Sequence, residues 1–391
     1  MENKIVCKPA FYDEFYCIAD RCDFTCCQEW KISLDQETRK IWETNPVTAE
    51  HIEEKQDMTV IALDQNHKCP FLNEKKLCRL VLQYGEGILS HTCHTFPRQS
   101  NYLKNRQEES MVVCCPAVVD AWKKCGKIQF IETCQGQETL VSVPGKTEES
   151  QELLKLRALF IQILQEGELS LGESMNLIFF ILLDYAEQQQ KDAKGWENKR
   201  KQYEDGAYQK ELAETLRRMK FHEEDTLQER NELFLDMVEN YRREGLYLSY
   251  IEPVAKLAEA WSADYHQVEC SMDVASQLNS KTGFLREYED ILRNYLISEI
   301  YTNSVIEDAD LDSMLQAMEW IALEYAITQQ ALLLKWKSKG GASLEYKEIR
   351  DYLVLIGRIT GYNQEDIEEF LENSFDSPVW DWGYFALLMY K

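Results

Sequence analysis

The sequence predicts a mainly α-helical protein, in which a loop-rich N-terminal cysteine-cluster metal module packs on a C-terminal helical bundle. Three observations carry this reading. From Glu152 onward apolar residues recur at three- and four-residue spacing, the period of helices with one buried face. Twelve of the thirteen cysteines lie before Gln135, along with four of the six histidines, His51, His67, His91 and His94. Charge divides in the same place: residues 1–140 hold 17 basic and 21 acidic side chains, net −4, which leaves −21 of the total −25 to the remainder. A chain of 391 residues also exceeds the roughly 250–300 residues that one core serves, so two bodies are expected. The turn-forming, charged stretch Val143-Pro-Gly-Lys-Thr-Glu-Glu-Ser150 marks the boundary. It gives a cysteine-rich metal-binding module over 1–145 and an acidic all-helical domain over 146–391.

The first long helix follows from Leu153, Leu156, Leu159, Phe160, Ile163 and Leu164 sharing one face, with Gly167 as its stop. The same period predicts helices over 171–190, 197–219, 224–244, 283–302, 309–337 and 346–358. A last helix start is read at Asn363, with Asp366 ahead of Ile367, Phe370 and Leu371. The front third lacks such runs. Short helices are expected at Asp35–Glu43 and Val118–Cys125, and strands only at Ser110–Val113 and Lys127–Ile131.

Composition narrows the function. A net charge of −25 opposes a general electrostatic grip on nucleic acid or anionic lipid. The longest apolar run, Leu177–Leu183, is far shorter than the roughly 20 residues of a spanning helix, so no membrane is expected. Residues 1–10 carry no secretory pattern, and the protein is read as cytoplasmic. In that reducing setting a dense set of cysteines signals metal or redox chemistry rather than disulfides. The acidic back half is compatible with attracting lysine-bearing surfaces.

The cysteines come in two groups. Cys17, Cys22, Cys26 and Cys27 lie within eleven residues; Cys69-Pro-Phe-Leu, Cys78, Cys93-His-Thr-Phe-Pro-Arg98 and Cys114-Cys115-Pro116 follow. Thiolates are soft donors that suit zinc or iron–sulfur centres, and short intervening loops bring several round one site. Cys17, Cys22, Cys26, Cys27, Cys69, Cys78, Cys93 and one of the Cys114/Cys115 pair, taken as Cys115, make eight candidate ligands. They suffice for two four-thiolate sites or one cluster with spares. Cys7, Cys125, Cys134 and Cys270 are isolated and read as small packing residues. His91 and His94 are possible additional ligands beside Cys93.

Phe15-Tyr16-Cys17, Cys22, Cys26-Cys27, Trp30-Lys31-Ile32, Cys69-Pro-Phe-Leu-Asn73, Leu77-Cys78, Thr92-Cys93, Phe96-Pro97-Arg98, Glu109-Ser110 and Cys115-Pro116 together resemble the bacterial flagellin lysine-N-methylases over about the first 120 residues. The cysteine pattern is also similar to small zinc- or iron-chelating cysteine-cluster domains. In the tail, Tyr288–Leu296 resembles the family segment ending in Asn-Tyr-Leu, and Ile356-Gly-Arg-Ile-Thr-Gly-Tyr-Asn363 its late Arg-containing helix. Gly361 and Tyr362 depart from the acidic residue and His expected there.

The resemblance implies a methyltransferase that moves a methyl group from S-adenosylmethionine to lysine ε-amines of flagellin. It also implies a cysteine-bound iron–sulfur cluster of the 4Fe–4S type, with zinc as the alternative. Trp30, Arg98 and Glu109 lie within its motifs and are the catalytic candidates; oligomeric state is left open. Methyl transfer needs a neutral lysine, whose free pKa is near 10.4, so the site must desolvate the amine or offer a proton acceptor. No strand, Gly-rich turn and acidic residue mark an ordinary nucleotide site: Gly85-Glu-Gly87 and Gly340-Gly341 stand outside such a unit. Cys22-x3-Cys26 begins a radical-type spacing, but position 29 is Glu. A metal-chelating or assembly factor is the alternative reading. A thiol–disulfide oxidoreductase is disfavoured because Cys-x-x-Cys is absent.

Overall fold

A computed structural model describes residues 4–30, 32–55, 58–145, 151–191, 193–219, 221–263, 285–361, 364–375 and 380–390. The front holds more regular structure than the sequence predicts. Strands β1 (Ile5–Pro9), β4 (Arg98–Leu103), β5 (Arg106–Met111), β6 (Phe130–Cys134) and β7 (Gln137–Val141) form one mixed sheet in the order β4-β5-β1-β6-β7. β1 runs parallel to β5, with Cys7 opposite Glu108, and antiparallel to β6. Gln135 and Gly136, both at positive φ, make the tight turn between β6 and β7. β2 (Ile52–Lys55) and β3 (Met58–Ile61) form a separate hairpin. Short helices α1 (Gln36–Thr44), α2 (Arg79–Tyr84), α3 (His91–Thr95) and α4 (Pro116–Cys125) complete this part.

The expectation of a loop-rich front with two short strands is therefore corrected, and the reason lies in β5. Its buried face carries Arg106, Glu108 and Ser110, so polar residues point inward where an apolar alternation would have announced a strand. Burial of those charges is offset by pairing. Arg157 donates from both terminal nitrogens to Glu108 at 2.6 and 2.7 Å and to the Tyr301 carbonyl at 3.0 Å. Arg106 bonds Glu108 and, at 2.6 Å, Glu132.

The back is helical as expected: α5 (Glu152–Glu166), α6 (Leu171–Lys191), α7 (Ala193–Tyr203), α8 (Gly206–Leu216), α9 (Glu223–Arg243), α10 (Leu248–Ala263), α11 (Glu289–Asn303), α12 (Leu311–Ser338), α13 (Tyr346–Ile359), α14 (Gln364–Ser374) and α15 (Trp382–Met389). Gly167 ends α5 in the left-handed conformation. The single helix expected over 197–219 is two, because Asp205 caps α8 through the Ala207 and Tyr208 amides. α10 and α15 are additional to the expected helices; α10 accommodates Pro253 in its second turn. The early part of the helix expected over 283–302, together with Cys270, Tyr362 and Asn363, lies outside the described residues.

α12 is the axis of the body, buried along nearly its whole length against α9, α10 and α13. One apolar core joins Cys7, Met111, Val118, Trp122 and Phe130 of the front to the helices behind. A second, smaller core of Ile32, Leu34, Trp42, Ile61, Cys69, Phe71, Leu80 and Ile88 is confined to the front. Among the described residues no helix is long and apolar enough to cross a membrane.

Candidate thiol site

The small core gathers half of the candidate ligands: Cys69 lies in it, and Cys27, Cys78 and Cys93 pack against it. The Cys69 amide donates to the Cys27 carbonyl at 2.8 Å, and isolated bridges join Gln28 to Lys68 and Leu72 to Cys78. Asn73 closes the turn between Cys69 and Cys78 by accepting from the Lys75 and Leu77 amides. Ser90 caps α3 by accepting from the Cys93 amide at 3.1 Å. Asp35 accepts from Thr38 and from the His91 amide, which ties the start of α1 to that of α3.

Burial pushes the Cys69 thiol up to about 12, with Cys27, Cys93 and Cys78 adding to the rise. Cys93 is pushed up to about 11, again first by burial, with Ser90 opposing and Cys27 and Cys78 reinforcing. Cys26 donates to Cys27, which holds the Cys26 proton on and brings Cys27 down to about 7. Cys93 acts on Cys26 as well, so Cys26, Cys27, Cys69, Cys78 and Cys93 share one neighbourhood.

Cys17, Cys22 and Cys115 form the other. Burial raises Cys22, with Cys17 adding and Arg358 and Arg350 opposing. Burial brings Cys115 to about 12, with Cys22 and Cys17 contributing. Its neighbour Cys114 is buried and donates to the Gly357 carbonyl at 3.2 Å. The described cysteines are all free thiols, as the sequence predicts, and His91 and His94 are exposed. Among the described residues no three His, Cys, Asp or Glu side chains are arranged to hold a metal ion. The expected convergence thus appears as two neighbourhoods rather than a closed ligand shell. The donor chemistry of each suits a soft metal, which would have to displace protons that burial holds at Cys22, Cys69, Cys93 and Cys115.

The catalytic candidates lie along the edge of this region. Trp30 meets Phe96 edge-on, with centroids 5.0 Å apart. Arg98 donates to the Phe15 carbonyl at 2.9 Å, and its guanidinium stands over the Tyr12 and Phe15 rings. Glu109 accepts from Tyr12 and Ser100 on one oxygen and from Gln107 on the other. Tyr12 therefore links Arg98 to Glu109, whereas Trp30 meets Phe96, two residues before Arg98.

The residue the sequence gives no role is Arg358. From α13 it donates to the carbonyls of Cys114 at 3.1 Å, Thr25 at 3.2 Å and Phe24 at 2.9 Å. Its guanidinium stacks 4.5 Å from the Phe24 centroid and 4.8 Å from Trp30. Phe24 in turn stacks on Tyr247, and the Tyr247 amide donates to Glu29 at 2.9 Å. Burial pushes the Tyr247 phenol up to about 12, with Arg358 opposing. Gly357 is the local signal for this approach: a Cβ there would lie 2.3 Å from Val113 Cγ1.

These features define a class: a thiol-rich sheet module joined to a helical body by buried arginines, Arg157 at the sheet and Arg358 at the cysteine segments. Residues 157–388 match the FliB lysine N-methylase C-terminal domain, and the chain belongs to that family. It is 33% identical over 129 residues to a lysine-N-methylase of Salmonella choleraesuis (strain SC-B67), covering 30% of this chain and 32% of that protein. A lysine-N-methylase of Salmonella typhimurium (strain LT2) is 32% identical over the same extent. The flagellar biosynthetic protein FliU of Salmonella muenchen is 35% identical over 132 residues, 30% of this chain and 76% of that protein. The match thus spans about a third of the length of the two lysine-N-methylases. No solved structure matches the chain.

Proposed function

We propose that the protein is a lysine N-methylase that transfers methyl groups from S-adenosylmethionine to lysine ε-amines of flagellin. The observation that carries this reading is the match of residues 157–388 to the methylase family, whose matched span includes the helix that grips both cysteine segments. The methyl donor, when bound, supplies an electrophilic sulfonium carbon, and the lysine must meet it as a neutral amine. In this proposal residues 1–145 are the cysteine-rich module, 146–391 the helical domain, and the site faces the interior of a cell. Trp30, Arg98 and Glu109 are substrate-side candidates: the three donors on Glu109 fix its carboxylate, and the aromatic ring beside Trp30 offers an apolar wall that would desolvate an amine.

Cys17, Cys22, Cys26, Cys27, Cys69, Cys78, Cys93 and Cys115 would hold the cysteine-ligated centre, an iron–sulfur cluster or zinc. Purification under anaerobic conditions followed by iron, zinc and acid-labile sulfide analysis distinguishes the two. Incubation with methyl-labelled S-adenosylmethionine and purified flagellin tests the activity, with label expected on lysine. An unlabelled flagellin after anaerobic incubation with metal-loaded protein would overturn it in favour of a metal-chelating or assembly role.

A further inference from the structure

Arg358 is a buried cation whose hydrogen-bonding partners among the described residues are all uncharged. It is 7% exposed, and its three nitrogens reach three carbonyls drawn from two segments far apart in the chain, residues 24–25 and 114. Bringing a guanidinium into a core costs several kcal/mol, on the order of what a buried ion pair must recover, unless its donors and its charge are both met. The carbonyls and the Phe24 and Trp30 rings meet the donors and part of the charge. The ionisable groups that feel the remainder include the thiols Cys22, Cys26, Cys27 and Cys114. Two of the three carbonyls belong to the residues immediately before Cys26, and the third to the residue immediately before Cys115.

We propose that Arg358 is a positioning residue: from α13 it shapes the segments that carry Cys26, Cys27 and Cys115 and presents a fixed positive charge to a thiolate-bound centre. Its part in holding the segments stands on the structure alone; its part as counter-charge rests on the reading that the thiols bind metal. Lysine keeps the charge but loses the planar fork that serves three carbonyls at once, and glutamine loses both.

The test uses the full chain with R358K and R358Q. In metal-free protein, amide hydrogen exchange over residues 22–28 and 113–116 is expected to quicken about ten-fold or more in both variants, while α5 and α12 keep their protection. Unchanged exchange in these segments would overturn the positioning role. Cobalt(II) titration, followed by the thiolate-to-cobalt absorption, is expected to show roughly ten-fold or greater weakening of affinity in R358Q and an intermediate value in R358K. Equal affinities for all three proteins would overturn the counter-charge. If the unsubstituted chain takes up no cobalt, the metal-binding reading itself falls, and the exchange measurement still decides the rest. Should R358Q fail to fold, R358K carries both arms.

Discussion

Two buried polar regions of this protein solve the same problem in opposite ways. Where β5 meets α5, Glu108 is 1% exposed and Arg157 fully buried, and opposite charges offset the loss of water. Burial pushes the Glu108 carboxyl up, but Arg157 and Arg106 together leave it below its usual range. On α11 and α12 the buried carboxyls of Glu299, Glu319 and Glu324 lack a cation among their described hydrogen-bonding partners. Burial raises Glu319 to about 8, against one bond from the Trp380 amide. Glu324 rises to about 7 in spite of bonds from Thr360 and Tyr295, and Glu299 rises well above the usual range, first through burial and then because Glu324 stands beside it. The first region keeps its charges and pairs them, whereas in the second burial makes the carboxyls hold their protons more tightly. The lesson is that equal burial predicts neither charge state nor mutational cost until the partners are named.

The largest expected effect breaks the paired region. Glu108→Ala strands the buried guanidinium of Arg157 and takes one of two carboxylates from Arg106, and the loss should reach about 3–5 kcal/mol in urea unfolding. A loss below about 1 kcal/mol would show that the pairing does not join sheet to helices. The contrasting substitution, Glu299→Gln, replaces a carboxyl whose proton burial already holds more tightly than usual and leaves no cation stranded among its described partners, so it should cost far less.

The second effect is a pH dependence. Glu319 has a folded value near 8 against an ordinary 4.5, so the folded state holds the extra proton between them. Its contribution to stability is present in full below about 4.5, is lost as pH rises toward 8, and is flat beyond. Over that span the loss should be roughly 2–4 kcal/mol once relaxation is allowed for. Glu319→Gln should remove most of this slope when unfolding midpoints are compared at about pH 5, 7 and 9. An unchanged slope would mean the group is solvated in the folded protein.

The same contrast explains what can be read from the letters alone. Apolar stripes such as Leu153, Leu156, Phe160 and Ile163 declare helices because their burial is hydrophobic and local. β5 is hidden because its inward residues are satisfied from afar in the sequence: Glu108 by Arg157, some fifty positions away, and Arg106 by Glu132 as well as by Glu108. α12 is legible in extent but not in content: Glu319, Glu324, Gln329 and Gln330 look like solvent-facing residues and are buried. The cysteines are legible as candidates, and their division is not, because it depends on which turn brings Cys69 beside Cys27. Arg358 is visible only as part of a resemblance, since its partners are backbone carbonyls that no side-chain pattern encodes.

A third prediction probes the seam between the two parts. Gly357→Ala should destabilise by about 1–3 kcal/mol, because the added methyl meets a stiff, β-branched neighbour at Val113 rather than a flexible chain end. The substitution should also disturb the Cys114 bond to the Gly357 carbonyl. Faster alkylation of Cys114 in the folded variant would register the displacement; an unaltered rate together with unaltered stability would show that Val113 yields at no cost.

The smallest effect comes from a third way of keeping a carboxylate, neither paired with a cation nor protonated. Asp35 is held well below the usual carboxylate range, first by the His91 amide and then by Thr38. Since its folded value is depressed, its contribution is present above the ordinary 3.8 and fades as pH falls. Asp35→Ala removes the cap of α1 and the tie to α3 together, and should cost about 1 kcal/mol at pH 7. Asp35→Asn can still accept from the Thr38 amide, so it should recover part of that loss, and the stability gap between the unsubstituted protein and this variant should narrow toward about pH 2.5. A gap that holds constant with pH would mean that the bond to His91, which positions Cys93 two residues later, does not depend on the charge of Asp35.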